Sequence, residues 1–77
     1  MSEFIYLTEL KANNIVIVKE IVAGHKAHRF LADLGIHEGE KIRIVKNDVG
    51  PIIVEVKGTR VAIGRGLAGK IQVKVKA

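Results

Sequence analysis

Hydrophobic and polar residues alternate in several short runs along this chain, and the alternation gives way once to a helical period. Residues 71–76 (IQVKVK) alternate strictly, which predicts a half-buried strand with Ile71, Val73 and Val75 inward and Gln72, Lys74 and Lys76 outward. Residues 41–46 (KIRIVK) place Ile42 and Ile44 on one face and Arg43 on the other. Residues 14–22 (NIVIVKEIV) are rich in Ile and Val, whose branched side chains suit a pleated surface. Residues 52–57 (IIVEVK) follow the turn signal Gly50–Pro51, and residues 59–63 (TRVAI) follow a second one, Lys57–Gly58. With residues 4–7 as a further short candidate, the pattern predicts five to six strands.

In residues 24–35 (GHKAHRFLADLG), Ala27, Phe30, Leu31 and Leu34 recur at i, i+3, i+4 and i+7, the spacing of one face of a short helix. Lys26, His28, Arg29 and Asp33 take the remaining faces. Gly35 stands where a left-handed C-terminal cap is wanted, and Ile36 can fold back onto the last turn. Glu38–Gly39 then supplies a turn into the next strand. Short strands punctuated by turns, with one helix inserted between early strands, point to a small SH3-like barrel forming one domain over residues 1–77.

Length and charge narrow what such a domain can do. At 77 residues the core is thin, since a chain this short buries only about 60% of its unfolded surface. The chain has no cysteine, so no disulfide supplements that core, and the composition fits a reducing compartment. The start, MSEFIYLTEL, carries Glu3 and lacks the basic-then-apolar pattern of a secretory leader. The longest aliphatic run, residues 15–18, is far short of the roughly 20 residues a membrane span needs. A soluble, cytoplasmic protein without membrane insertion is therefore expected. Residues 1–56 hold seven Lys/Arg against eight Asp/Glu, whereas residues 57–77 hold six Lys/Arg and no acid. That basic final third suits an acidic partner, or serves as the solvated outer face of strands.

The candidate chemistry is sparse. Gly64-Arg65-Gly66-Leu67-Ala68-Gly69 spells G-x-G-x-x-G, but a dinucleotide site needs a following helix, a second strand and a distant acid. Only eight residues remain after Gly69, none of them acidic, so the segment reads as a tight turn between strands whose Leu67 and Ala68 plug one end of the fold. His25 and His28 are spaced to share a helix face, and His37 follows in the next turn. Without cysteine or acids in ligand spacing, no metal site and no cofactor is expected. The single serine, Ser2, lies at the terminus, and Glu38 and Glu40 flank a glycine turn, so no catalytic set emerges. Nucleic acid would suit the basic third, yet single-strand binders pair cations with stacking aromatics, and Phe4, Tyr6 and Phe30 all lie outside it.

The ordered set formed by residues 29–36 (RFLADLGI), Glu38–Gly39, the strand beginning at Lys41, residues 50–54 (GPIIV), the Gly58 turn, residues 61–65 (VAIGR), Leu67–Ala68 and residues 71–73 (IQV) resembles the FeoA domain family over nearly the whole chain. The chain departs from that pattern at Glu38, where the family often has proline, and at Asn13 or Asn14, where it often has glycine. The resemblance implies an SH3-like barrel and a non-enzymatic cytoplasmic accessory of ferrous-iron uptake that binds and modulates the membrane transporter FeoB. It leaves two alternatives: a small basic nucleic-acid binder, and a stand-alone relative of the C-terminal domain of metal-dependent repressors. From charge alone, Arg29, Arg60, Arg65 and Lys70 are the candidate partner-binding residues. Reversing Arg65 and Lys70 to Glu is expected to abolish docking and leave the fold intact.

Overall fold

The structure is a computed structural model that describes residues 5–76. Six strands follow one another as β1 (Ile5–Tyr6), β2 (Ile15–Ile21), β3 (Lys41–Lys46), β4 (Ile52–Val56), β5 (Thr59–Ile63) and β6 (Ile71–Val75). A 3-10 turn, Leu7–Glu9, follows β1; helix α1 (His25–Asp33) joins β2 to β3; and a short helix α2 (Arg65–Ala68) joins β5 to β6. The predicted candidate strand at residues 4–7 is met at Ile5–Tyr6, while Phe4 lies outside the described residues.

All strand pairs are antiparallel, and the strands form one sheet in the order β1-β6-β2-β3-β4-β5. This corrects the expected SH3-like barrel: the sheet is open, and no pairing joins its end strands β1 and β5. It also corrects the expected single helix, because α2 is a second one. The reason lies in what alternation encodes. Period-2 patterning assigns each strand a buried face but says nothing about which strand edges meet. Here β1 pairs with β6 and β5 with β4, and the two end strands do not meet among the described residues.

The buried face is formed by Val16, Val18 and Ile21 of β2, Ile42 and Ile44 of β3, Ile52, Val54 and Val56 of β4, Ile63 of β5, and Ile71 and Val73 of β6. Leu7, Leu31, Ile36 and Ala68 complete the core. Since α1 contributes Leu31 as its one fully buried side chain, the sheet covers its apolar face largely by its own twist and coiling. The register of β2 against β6 shifts between Val18 and Glu20. That irregularity lets Lys19 and Glu20 both stay outside while Ile21 returns to the core.

Two inward assignments fail. Val75 is 42% exposed although it stands opposite fully buried Val16 of β2. Phe30 is 53% exposed, whereas His28 is half-buried. The inward face of α1 is therefore rotated toward His28, whose imidazole Nε2 lies 2.6 Å from the Ile21 carbonyl at the end of β2. The helix end follows the sequence closely. Gly35 takes φ of 88°, its N–H bonds to the Ala32 carbonyl, and the Ile36 N–H bonds to the Leu31 carbonyl at 2.8 Å. This is a Schellman cap with its apolar contact, since Leu31 and Ile36 are both fully buried.

Candidate docking surface

Four neighbourhoods gather the polar side chains of this small domain. The first is a corner where the 3-10 turn, the β3–β4 loop and α2 meet. Asn47, just past β3, donates through Nδ2 to the carbonyls of Thr8, at 3.1 Å, and Leu10. Its Oδ1 accepts from Arg65 Nη2 at 2.8 Å, and the same nitrogen donates to the Asp48 carbonyl. Arg65 thus draws α2 and the β3–β4 loop together over buried Leu7 and Ala68. Both partners are half-buried, which strengthens each charge-assisted hydrogen bond relative to one in water.

The G-x-G-x-x-G segment builds this corner and no phosphate cradle. It forms the single turn of α2, with Ala68 buried and Leu67 packed against the core. Its end glycines do not need left-handed conformations, Gly64 having φ of −59° and Gly69 of −69°. At Gly69 a Cβ would stand 3.3 Å from the Arg65 carbonyl oxygen, so close packing explains that one.

The second neighbourhood is a charged row across three strands. Arg43 on β3 bonds to Glu55 on β4, Nη2 to Oε1 at 3.0 Å, and Glu55 pairs in register with Arg60 on β5. Charges alternate positive, negative, positive toward the open end of the sheet. Among the described residues no hydrogen bond or ion pair engages the Arg60 guanidinium, and the residue is exposed.

The third is an open groove of about 500 Å³ between β2, α1 and the α1–β3 loop, lined by Ile21, His28, Ala32, Ile36, His37 and Glu38. His28 is tied to the Ile21 carbonyl, and His37 Nε2 lies 3.1 Å from Glu40 Oε1, which also faces Lys57 Nζ at 3.6 Å. His25 stays exposed on the first turn of α1. The three histidines are not gathered: among the described residues, no three His, Asp or Glu side chains are placed to hold a metal ion.

The fourth lies where β6 begins. Lys70 is exposed there, and its carbonyl accepts from the Val22 N–H beyond the end of β2. Arg29 is exposed on α1. The four cations singled out by charge are thus spread over α1 (Arg29), the β5 edge (Arg60), the clamped corner (Arg65) and the start of β6 (Lys70). Asn47 and Glu55, which organise two of these neighbourhoods, carry no periodic signal. Asn47 reads as one more turn residue before Asp48, and Glu55 as one more outward strand position.

The family model of the FeoA domain matches residues 5–75, every strand and helix described above. The chain belongs to the FeoA domain family. An Fe(2+) transport protein A of Methanocaldococcus jannaschii is 47% identical over 64 residues, covering 83% of this chain and 78% of that relative. A crystal structure of an iron uptake regulatory protein, FeoA, matches with a TM-score of 0.89 at 36% identity, over 95% of this chain and 99% of that one. IdeR of T. acidophilum matches with a TM-score of 0.88 at 25% identity, over 99% of this chain but 36% of IdeR, so there the fold is one part of a longer chain.

Within the FeoA domain the two departures from the family pattern become physical. Asn13 adopts φ of 76°, a left-handed conformation that glycine takes freely and asparagine tolerates better than most residues. Its N–H bonds to the Ile44 carbonyl at 2.6 Å, so the turn fixes β2 against β3. Glu38 is exposed in the turn before β3.

Proposed function

We propose that this FeoA-domain protein is a non-catalytic accessory of ferrous-iron uptake that works in the cytoplasm by docking on the cytoplasmic portion of a FeoB-type transporter. The observation that carries this reading is the family match over residues 5–75, every described element of the fold. Two features support it. No helix among the described residues is long and apolar enough to cross a membrane, and in this reading contact with the transporter runs through this domain's surface. Residues 57–77 also hold six Lys/Arg and no acid of their own, a balance that suits an acidic protein face.

In this reading Arg29, Arg60 and Lys70 make contacts, and Arg65 holds the corner that presents its neighbours. Reversing Arg65 therefore acts on the fold as well as on docking, unlike the expectation from charge alone. The test is an amide-shift NMR titration with the soluble cytoplasmic portion of the transporter at moderate salt, with single-stranded nucleic acid in a parallel series. Saturable shifts with the transporter portion, and none with nucleic acid, are expected. Tight, steeply salt-dependent binding to nucleic acid without any transporter response overturns the proposal.

A further inference from the structure

Strand β5 is one open end of the sheet, and its hydrogen-bonding groups can be assigned from its register. The two-residue turn Lys57–Gly58 is closed by the pair Val56↔Thr59, and bonded pairs alternate with unbonded ones from there. Val61 and Ile63 thus bond to Val54 and Ile52 of β4, whereas Arg60 and Ala62 turn their N–H and C=O groups away from the sheet. Neither backbone meets a partner elsewhere among the described residues, and both residues are exposed. Edge strands of soluble proteins are commonly guarded by charged side chains, proline or a bulge. β5 has one charge, Arg60, and neither proline nor bulge: its sequence TRVAI pairs with β4 without a register shift.

We propose that the β5 edge is a strand-addition site for an extended peptide segment with an acidic residue opposite Arg60 and an apolar residue opposite Ala62. Backbone groups of Arg60 and Ala62 supply the ladder, and the side chains set the preference. The row Arg43–Glu55–Arg60 ends on an unengaged cation, so the next strand in the sheet meets its charge with an acid. In the neighbouring row Ile53 and Ala62 stand side by side, and a larger apolar side chain beside Ala62 extends that strip. An antiparallel segment of the form apolar-x-acid satisfies both rows.

A second copy of this chain fits less well. Two β5 strands paired about Val61 set Arg60 against Ala62, and paired about Arg60 they set like charges opposite each other. Neither register supplies the acid. The inference goes beyond the accessory role and stands without it, because it names a peptide chemistry and no particular protein.

The experiment uses the full chain and NMR. In the free protein, the amides of Arg60 and Ala62 are expected to exchange quickly with solvent while those of Val61 and Ile63 are protected. Protection at all four means the edge is already covered, by another part of the chain or by a second copy, and overturns the proposal. A capped peptide containing Val-Thr-Glu in a threonine-rich strand is then titrated to saturation. Shifts are expected to centre on Arg60–Ala62, with newly slowed exchange there. Replacing glutamate by lysine in the peptide should weaken binding by ~3-fold or more, and N-methylating its ladder amides by ~10-fold. In the protein, Ala62→Pro removes an outward N–H without touching the β4 ladder and should also weaken binding by ~10-fold while the remaining spectrum holds. No shifts, shifts centred on the α1 groove, or equal binding of the N-methylated peptide overturns the assignment.

Discussion

Arg65 and Arg60 lie five positions apart in the same acid-free third of the chain, yet the fold gives them opposite tasks. Arg65 is half-buried, with Nη2 shared between Asn47 Oδ1 and the Asp48 carbonyl, and Asn47 continues the network to Thr8 and Leu10. Arg60 sits at the end of the charged row on an open strand, exposed and without a side-chain partner among the described residues. One cation is spent on holding three segments together; the other is left for whatever reaches the surface. Charge composition treats them alike because it counts cations and carries no information about which carbonyls stand nearby.

The contrast can be pressed by substitution, and the largest response belongs to the corner. Asn47→Ala removes three hydrogen bonds and leaves the Thr8 and Leu10 carbonyls unpaired, so urea unfolding should show a loss of about 2–3 kcal/mol. Arg65→Met keeps the aliphatic stem and should cost about 1–2 kcal/mol, and in the double variant the two losses should fall short of additivity by ~1 kcal/mol. Strict additivity there would mean that the Arg65–Asn47 bond contributes nothing. At the β5 end the backbone matters more than the side chain. Gly58 has φ of 80° in the hairpin turn, and Gly58→Ala should cost about 1 kcal/mol. Arg60→Ala should lie within about 0.5 kcal/mol of the parent. The smallest change is a gain: Asn13→Gly, relieving φ of 76°, should raise stability by at most about 0.5 kcal/mol, visible as a small upward shift in Tm.

Much of this architecture can be read from the chain. The alternation in residues 41–46 places Ile42 and Ile44 on one face as found, the run at residues 52–57 is met by β4, and Gly35 with Ile36 marks the helix cap to the residue. Those features are local, fixed by period and by backbone conformation within a few residues. Closure of the sheet is not local. It depends on whether two strands far apart in sequence meet edge to edge, and among the described residues β1 meets β6 alone. Phe30 failed for a related reason. Its spacing fits the apolar face, but the polar side chain turned inward there is His28, whose imidazole meets the Ile21 carbonyl, while Phe30 is 53% exposed. The corner was illegible because Asn47 and Arg65 are 18 residues apart and each is an ordinary turn or surface residue type.

The most direct test sets the two arginines side by side. Arg60→Ala and Arg65→Met are compared with the parent chain for urea midpoint and for affinity toward the soluble cytoplasmic portion of the transporter, at a temperature where all three are folded. The expected result is a divided one: Arg60→Ala keeps its midpoint and loses affinity, whereas Arg65→Met loses stability and retains most of its affinity. An unchanged midpoint in Arg65→Met together with unchanged affinity in Arg60→Ala contradicts both assignments.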